Sequence, residues 1–348
     1  MKQTDVFIAG QDGYHTYRIP SIIVTHKGTL LAFCEGRMSG AADKSPTDMV
    51  LKRSLDNGKT WMPMQMVIRG VPDAVMDPCP VIDRTTGRIY LMYDRYPRGF
   101  KMSAAGWGMD SASAWVTHTD DDGQTWSEPI NITKSTKKRE WTQIAHGPGR
   151  GIQTQTGRLV IPCNCYDIEG QQWAFAIYSD DHGDTWQLGG EIGPRMSESQ
   201  VVELADGCLV LNMRSYRERG CRAMAISRDG GITWTDPVDV PDLIEPVCQA
   251  SVLLHDTEAG RGTGLSLFSN PASRDRTRMT IKLSYDEGRT WPVAGLIYAG
   301  PSAYSCLAVL SDGTLACLYE RGESNPYEKI ALAQFNIEWL THANARHR

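Results

Sequence analysis

Pairs of apolar segments separated by a short polar turn recur six times along the chain. In each pair the turn contains Gly, and the flanking segments are rich in Val, Ile and Leu. The six pairs occupy residues 21–33, 79–93, 151–162, 201–212, 251–268 and 307–319. Short apolar runs bounded by such turns are typical of β-hairpins. The pattern therefore predicts six hairpins, and no long amphipathic helix interrupts them.

A second repeat follows each of the first five hairpins after one further predicted strand. The octamers share the pattern S/T-x-D-x-G-x-T-W and lie at residues 54–61, 119–126, 179–186, 227–234 and 284–291. Asp can accept hydrogen bonds from its own loop backbone, and Gly supplies a positive φ, so each octamer is predicted to be a turn that the Trp ring covers. A calcium site of the EF-hand type is not expected, because such a loop needs more acidic ligands and a Glu at its twelfth position.

The two repeats together define six units of four antiparallel strands. In the sixth unit the octamer is lost, although Trp339 remains after the last strand. Repeats that cannot bury their own faces stack on their neighbours, and radial stacking forms a propeller. We therefore predict an all-β fold, a six-bladed β-propeller that a strand near Asp5–Ala9 completes. An open β-solenoid is the alternative. Six blades occupy residues 1–348, with a core of about 5–340, so a single domain is expected.

Composition and charge exclude several classes of function. The charged fraction of 22% and the hydrophobic fraction of 41% are those of an ordinary globular protein. A formal net charge of −5 argues against a general nucleic-acid binder. No apolar run approaches 18 residues, so no membrane span is predicted. Nothing in the sequence indicates an oligomeric state.

The nine cysteines are scattered, mostly within apolar runs. This distribution predicts reduced, largely buried thiols in a reducing compartment. Cys163 and Cys165 form a single C-x-C without a second pair or a matching His, so neither a zinc site nor any other metal or cofactor is expected. The N-terminal residues lack a signal-peptide pattern. A cytoplasmic location is therefore expected, with secretion as the alternative if a leader has been removed.

Charged residues stand at the ends of several predicted hairpin strands: Arg18, Arg37, Arg214, Arg276 and Glu320. Hairpin ends in a propeller converge on the central axis, where several guanidiniums would repel each other unless they shared an anionic ligand. Because the chain is acidic overall, such a cluster would attract anions locally. Arginine binds carboxylates through two parallel hydrogen bonds. The pattern therefore predicts a small carboxylate as the ligand.

The motif YRIP at residues 17–20, the five octamers and the arginine spacing resemble those of the bacterial-type sialidases, or neuraminidases, of the six-bladed propeller superfamily. The octamers alone are not specific, because non-catalytic propellers carry them too. The resemblance implies that three arginines bind the carboxylate of sialic acid. Arg18 and Arg214 match two of them. Arg274, Arg276 and Arg278 compete for the third position, and the register favours Arg276.

The resemblance also implies three catalytic residues. Tyr304, in the segment GPSAYS, matches the nucleophile. Glu198, which lies 16 residues before Arg214, matches the carboxylate that takes the phenolic proton. Asp43, six residues after Arg37, matches the acid/base residue. A neutral phenol suits this reaction because the anomeric carbon of sialic acid carries its own carboxylate, which would repel an anionic nucleophile.

Further residues match supporting positions of the family. Glu320 matches the carboxylate that holds the first arginine, and Arg37 and Asp77 match residues near the sugar 4-hydroxyl. Trp107, in the insertion at residues 96–112, is interpreted either as an apolar wall for the acyl group of the sugar or as a packing residue. His146 is expected at the edge of the pocket or in the packing.

Some segments depart from the usual family pattern and leave the exact sugar open. These are KSPTD after Asp43, MSES around Glu198, and TQIAHGPG with Gln143 and His146. The expected function is a retaining exo-α-sialidase that hydrolyses terminal α-linked sialic acid from glycoconjugates, so sialylated glycans are the expected partners. One alternative is a hydrolase or trans-glycosidase for a related nonulosonic acid. Another is a non-catalytic, glycan-binding propeller, which would need the arginines but not the three catalytic residues.

Overall fold

The structure is a computed structural model that describes residues 1–255 and 264–345. In this part of the chain the fold is all-β, with two short helices, α1 (Thr133–Thr136) and α2 (Ile337–Ala345). The strands of the first half are β1 (Lys2–Ile8), β2 (Thr16–Val24), β3 (Leu30–Arg37), β4 (Thr47–Ser54), β5 (Gln65–Ile68), β6 (Ala74–Ile82), β7 (Ile89–Tyr96), β8 (Ser113–Thr119), β9 (Ile130–Asn131), β10 (Trp141–His146), β11 (Ile152–Gln153) and β12 (Leu159–Asp167). Those of the second half are β13 (Gln172–Ser179), β14 (Gln187–Ile192), β15 (Met196–Glu203), β16 (Leu209–Ser215), β17 (Cys221–Ser227), β18 (Val238–Ile244), β19 (Ser251–Leu254), β20 (Ser266–Pro271), β21 (Thr277–Ser284), β22 (Val293–Val309), β23 (Leu315–Arg321) and β24 (Lys329–Phe335).

Among the described residues, the strands of each sheet pair antiparallel, apart from one parallel pair of Thr47 in β4 with Ala74 in β6. The six predicted hairpins correspond to the pairs β2–β3, β6–β7, β11–β12, β15–β16, β19–β20 and β22–β23. The strand pairs are thus confirmed. The turn predicted within the fifth hairpin, at residues 256–263, lies outside the described residues.

The two chain ends meet in one sheet. Strand β1 pairs antiparallel with β24, from Lys2 opposite Gln334 to Ile8 opposite Lys329, which confirms that the N-terminal strand completes the last unit. The long strand β22 belongs to two units. Its first half pairs with β21 and its second half with β23.

The segment after β24 forms helix α2. Trp339 lies in helix α2 and not in a turn. Its ring packs against Phe335, with centroids 5.5 Å apart, and the neighbouring Leu340 is fully buried. Trp339 therefore packs against the end of the last sheet from a helix, where its apolar ring is partly buried beside the core.

The octamers are turns, as predicted. In the first one, Asp56 Oδ1 accepts a hydrogen bond from the Thr60 backbone at 2.9 Å, and Ser54 Oγ accepts one from Gly58 at 2.8 Å. Gly58 has a φ of +75°. The Thr60 backbone and hydroxyl lower the pKa of Asp56 to about 2. The same acceptors recur in the other four octamers, at Asp121, Asp181, Asp229 and Asp286.

The strands that open the six units lie against one another. We call them the first strands; they are β2, β6, β10 with β11, β15, β19 and β22. Contacts join β2 to β6, β6 to β10 and β11, β11 to β15, β15 to β19, β19 to β22, and β22 to β2. Buried side chains reinforce these contacts. Gln249 Nε2 donates to the carbonyls of Pro148 at 3.1 Å and Ser305 at 3.0 Å, and Ser21 Oγ donates to that of Gly149 at 2.5 Å.

All nine cysteines are buried and unbridged, which confirms the prediction of reduced thiols. Each one lies in or beside a strand, where the thiol packs as a small apolar group. Among residues 1–255 and 264–345, neither helix is long and apolar enough to cross a membrane.

Candidate active site

A cavity of about 620 Å³ opens where the first strands begin. Seven of the nine predicted site residues line it: Arg18, Asp43, Asp77, Glu198, Arg214, Arg276 and Tyr304. The other two, Arg37 and Glu320, are fully buried directly behind the wall and bind residues that line it. Residues far apart in the sequence therefore meet at one end of the sheets.

Tyr304 lies at the centre of a hydrogen-bonded group. Its hydroxyl donates to Glu198 Oε1, and Arg214 Nη1 donates to the phenolic oxygen at 3.1 Å. Arg214 Nη1 also donates to Glu198 Oε2 at 2.7 Å. Burial and the adjacent Glu198 carboxylate raise the pKa of Tyr304 well above its usual value, although Arg214 opposes the shift. The phenol is therefore neutral at ordinary pH and already has a carboxylate in place to accept its proton.

Three guanidiniums surround the same tyrosine. Besides Arg214, the Cζ atoms of Arg18 and Arg276 lie 5.2 and 5.6 Å from the centre of the Tyr304 ring. Arg18 also stacks over Tyr327, with 4.1 Å between Cζ and the ring centre. Arg276 Nη1 donates to the Tyr327 hydroxyl at 2.8 Å. Three positive charges held this closely can bind a carboxylate beside the phenol.

In the part of the chain that the structure describes, Arg276 is the only one of the three candidates for the third arginine that lines the cavity. Arg274 is exposed and reaches the carbonyl of Arg219 at 3.5 Å. Arg278 is also exposed, and its backbone has a φ of +64°. The geometry therefore agrees with the register that favoured Arg276.

Glu320 connects Arg18 to Tyr304. Its Oε1 accepts hydrogen bonds from Arg18 Nε at 2.8 Å and from the Ile19 backbone at 2.9 Å, while Oε2 accepts one from the Tyr304 backbone at 3.0 Å. The carboxylate is fully buried. Because one carboxylate holds an arginine and the backbone of the tyrosine, it sets their relative position.

Asp43 lines the same cavity with its side chain exposed. Its Oδ1 is 2.9 Å from Arg37 Nη2 and 3.7 Å from Arg18 Nη1. Partial desolvation opposes ionisation, but these two guanidiniums hold the pKa of Asp43 below its usual value. The carboxylate is therefore ionised while the two arginines remain its main partners.

Arg37 is positioned by the buried carboxylate of Glu35. Glu35 Oε2 accepts hydrogen bonds from Arg37 Nε at 2.8 Å and Nη2 at 2.6 Å, and its Oε1 accepts one from the Asp77 backbone at 3.0 Å. The side chain of Asp77 is buried on a backbone with a φ of +58°. Burial and the nearby Glu35 raise the pKa of Asp77 well above its usual value, and its side chain lines the cavity.

Trp107 does not form a wall of this cavity, so that interpretation is wrong. The ring stands over a separate depression, where Nε1 donates to the Lys137 carbonyl at 2.9 Å and Arg139 lies 4.7 Å from the ring centre. These contacts anchor the inserted segment and leave Met102, from the same insertion, to line the cavity. His146 is fully buried against Asp94, in agreement with the packing interpretation.

Sequence reasoning missed several residues of the site. Tyr327, Tyr216, Tyr166, Lys44 and Met102 all line the cavity. Glu35, a possible partner of Arg37 in the sequence, was given no role in the site, although a charged residue within the apolar run LLAFCEGR indicates a buried partner. Tyr327 carries no such signal, because it lies in a polar connection between β23 and β24. In the described part of the chain, no group of three or more His, Cys, Asp or Glu side chains is arranged to hold a metal ion.

Comparisons with known proteins agree on one family. The sequence profile of the BNR repeat-like domain matches residues 20–317. The sialidase of Micromonospora viridifaciens is 36% identical over 97% of this chain and 54% of its own length, so the chain spans about half of that relative. Sialidase-3 of Mus musculus is 32% identical over 92% of this chain and 91% of its own length. The solved structure of the Hadza microbial sialidase Hz136 superposes with a TM-score of 0.90 at 34% identity, covering 97% of this chain and 69% of that one. The chain therefore belongs to the sialidase family of glycoside hydrolases.

Proposed function

We propose that the protein is a retaining exo-α-sialidase that hydrolyses terminal α-linked sialic acid from glycoconjugates. The observation that carries this proposal is the neutral Tyr304 phenol, which is hydrogen-bonded to Glu198 and surrounded by three arginines. A tyrosine so placed serves a substrate that carries its own negative charge at the reacting carbon.

Arg18, Arg214 and Arg276 bind the substrate carboxylate. Each charge-assisted hydrogen bond contributes roughly 1.5–3 kcal/mol, so the three arginines together hold the sugar with its anomeric carbon over Tyr304. Glu320 and Tyr327 fix two of these arginines before the substrate arrives, which reduces the entropic cost of binding.

In the first step the Tyr304 oxygen forms a bond to the anomeric carbon while its proton passes to Glu198. Because the raised pKa of Tyr304 disfavours a free phenolate, proton loss accompanies the attack. Arg214, 3.1 Å from the phenolic oxygen, stabilises the negative charge that develops there. The bond from the anomeric carbon to the leaving oxygen breaks, and Asp43 donates a proton to that oxygen.

In the second step water attacks the anomeric carbon from the side of Asp43, which now accepts the proton of the water. The bond to Tyr304 breaks, and Glu198 returns the phenolic proton. Asp43 must be protonated for the first step although its pKa is low in the empty site. A substrate carboxylate bound to Arg18 neutralises one of the cations that lower this pKa, so the pKa of Asp43 rises towards the range that a general acid needs. Asp77 binds a ring hydroxyl, and Arg37, which is buried behind the wall, holds Asp43 beside it.

We also propose that the sheets form a six-bladed β-propeller within a single domain. The contacts between the first strands, which lead from β2 through β6, β15 and β19 to β22 and back to β2, support this arrangement. The pairing of β1 with β24 would then close the last blade with the N-terminal strand.

Release of the fluorophore from a fluorogenic α-sialoside tests the proposal. The wild-type protein is expected to turn over, and Tyr304→Phe is expected to lose at least about 10³-fold in kcat, because the covalent step is removed. Tyr285→Phe serves as a matched control, since Tyr285 is exposed and lies on an octamer. Proton NMR should detect the α-anomer of the free sugar first.

The same assay separates the alternatives. A first-formed β-anomer would refute the covalent route through Tyr304. Turnover of only another nonulosonic acid glycoside, or transfer to an acceptor in place of water, would change the substrate or the reaction but keep the site. Binding of sialosides without any turnover would identify a glycan-binding protein and refute the catalytic assignment.

A further inference from the structure

Two of the segments that depart from the usual family pattern meet in the wall of the candidate active site. Lys44 belongs to KSPTD, and Gln143 belongs to TQIAHGPG, 99 positions further along the chain. The Lys44 ammonium donates a hydrogen bond to Gln143 Oε1 at 2.8 Å, and both side chains line the cavity. Neither residue has a role in the two steps proposed above, so the pair needs a different explanation.

Lys44 follows Asp43 directly, but the two side chains reach different parts of the cavity wall. Asp43 Oδ1 lies 2.9 Å from Arg37 Nη2, whereas the Lys44 ammonium reaches Gln143 on β10. The Lys44 backbone has a φ of +61°, in the left-handed region that a residue with a Cβ rarely adopts. Such a conformation persists only where other contacts hold it, and the bond to Gln143 is one of them.

The half-buried Lys44 side chain also contacts the insertion at residues 96–112. Its Nζ atom is 5.1 Å from the centre of the Tyr96 ring, 4.9 Å from that of Phe100 and 3.3 Å from Met102 Sδ. A cation within about 6 Å of a ring centre is attracted by the ring. Lys44 therefore connects its own segment both to β10 and to the insertion.

Asp43 lies in the segment 38–46, which joins β3 to β4. The Met38 backbone donates to the Pro46 carbonyl at 3.0 Å, and this bond closes the base of the segment. A bond at the base does not fix the residues between its two ends relative to the cavity. Lys44 fixes them, because its hydrogen bond leads to β10, a strand of a different sheet.

Arg37 holds the Asp43 side chain best while that carboxyl is ionised. Its Nη2 atom lies 2.9 Å from Asp43 Oδ1, and a hydrogen bond between charged groups is roughly twice as strong as one between neutral groups. The first step of the proposed reaction needs the protonated carboxyl, which forms no ion pair. The reactive form of Asp43 is therefore held less firmly by Arg37, whereas the bond from Lys44 to Gln143 does not depend on the charge of Asp43.

We propose that Lys44 is a positioning residue that, together with Gln143, holds the protonated Asp43 where it can donate its proton to the leaving oxygen. This inference rests on the proposed role of Asp43 as the acid. A residue that acts through Asp43 affects bond cleavage only as far as the leaving oxygen needs a proton. A substrate whose leaving group departs without a proton should therefore be insensitive to the loss of this positioning.

The test compares kcat/KM for sialyllactose with kcat/KM for a nitrophenyl sialoside. A sugar oxygen needs a proton to leave, whereas a nitrophenolate departs readily without one. Lys44→Met should lower the ratio of the two values by at least about tenfold, because a displaced acid loses part of the 10²–10⁴-fold that proton transfer contributes. The variant also removes a cation beside an anionic substrate, but that change affects both substrates alike and cancels in the ratio.

Three further variants separate positioning from charge. Gln143→Leu removes the acceptor without changing any charge, and it should lower the ratio to a similar extent. The double variant should lower it no further than Lys44→Met alone, because both changes break one hydrogen bond. Lys59→Met is the matched control, since Lys59 is exposed on the first octamer, and its ratio should stay within about twofold of the wild type. An unchanged ratio in Lys44→Met, or fully additive losses in the double variant, would overturn the proposal.

Hydrogen exchange of the backbone amides provides a readout besides activity. Exchange in the segment 38–46 should be faster in Lys44→Met and Gln143→Leu than in the wild type, and unchanged in Lys59→Met. Turnover of both sialosides by the wild type, with the same ratio and the same exchange in Lys44→Met, would refute the role of Lys44 alone. A wild type that turns over neither sialoside would refute the proposed function, and this inference with it, whatever the exchange shows.

Discussion

Neutralising the buried Glu320 should both destabilise the protein and misalign its site. In Glu320→Gln one carboxylate oxygen is replaced by an NH₂ group, which is a hydrogen-bond donor. In either orientation of the amide this group faces other donors, either Arg18 and the Ile19 backbone or the Tyr304 backbone. The guanidinium of Arg18 also loses its buried counter-charge. Breaking a buried ion pair by removing the charge of one partner costs about 3–5 kcal/mol.

This cost converts into a measurable shift in melting temperature. At about 2.1 cal/mol/K per residue, unfolding of the 348-residue chain has an entropy of about 0.73 kcal/mol/K. A loss of about 3–5 kcal/mol therefore lowers the melting temperature by about 4–7 °C. Circular dichroism at the strand signal measures this shift. Because Tyr304 and Arg18 both lose their alignment, kcat/KM for a sialoside should also fall by at least about 10²-fold.

Glu323→Gln is the matched control, because Glu323 is an exposed glutamate three residues further along the chain. An exposed substitution of this kind changes stability by less than about 0.5 kcal/mol, or under about 1 °C here. If Glu320→Gln melted within 1 °C of the wild type and kept its activity, then Glu320 would not hold Arg18 and Tyr304, and the account of this part of the site would be wrong.

Three further predictions follow from the geometry. With a sialoside substrate, Arg276→Gln should raise KM by about 10–150-fold, which is the equivalent of one charge-assisted hydrogen bond. Arg274→Gln and Arg278→Gln should change KM by no more than about twofold. A larger rise in KM for either of these two than for Arg276→Gln would reassign the third arginine. Trp107→Ala should leave KM and kcat within about twofold of the wild type, because its ring stands over a different depression, and a large rise in KM would return it to the pocket wall. The pKa of Asp56 in the folded protein, about 2, lies below its usual value of 3.8. The ionised Asp56 therefore stabilises the fold fully above pH 3.8, and this stabilisation is lost as the pH falls through about 2. The melting temperatures of the wild type and Asp56→Asn should therefore differ most above pH 5 and converge towards pH 2, and a gap that widened on acidification would contradict this sign.

Much of the fold followed from local patterns. Hairpins and octamers were predictable because their signals, such as alternating apolar residues, a Gly with positive φ and an Asp that binds its own loop, lie within segments of 8 to 18 residues. Trp339 was the exception. An isolated Trp after a strand is compatible with either a turn or a helix, and only packing against Phe335 and burial of the adjacent Leu340 distinguish the two.

The candidate site was predictable where a short motif carried it and not elsewhere. Arg18 was found through YRIP and Tyr304 through GPSAYS, and both line the cavity. Tyr327 was not found, because nothing in its polar connection distinguishes it from an ordinary loop tyrosine. The sequence left two interpretations of Trp107 open, because an insertion can fold towards or away from a cavity. The hydrogen bond of its indole to the Lys137 carbonyl decides between them.

The sequence by itself determined the number of repeats, the strand pairs, the turns and the residue types that meet at the site. These features depend on neighbours in the chain or on a motif, so they can be inferred without coordinates. Only the tertiary structure decided that Glu320 holds both Arg18 and Tyr304, and that Glu35 connects Arg37 to Asp77. The physical reason is that burial and charge pairing arise between distant residues, such as Arg18 and Glu320, which are 302 positions apart. Their energies exist only once the sheets have brought those residues together.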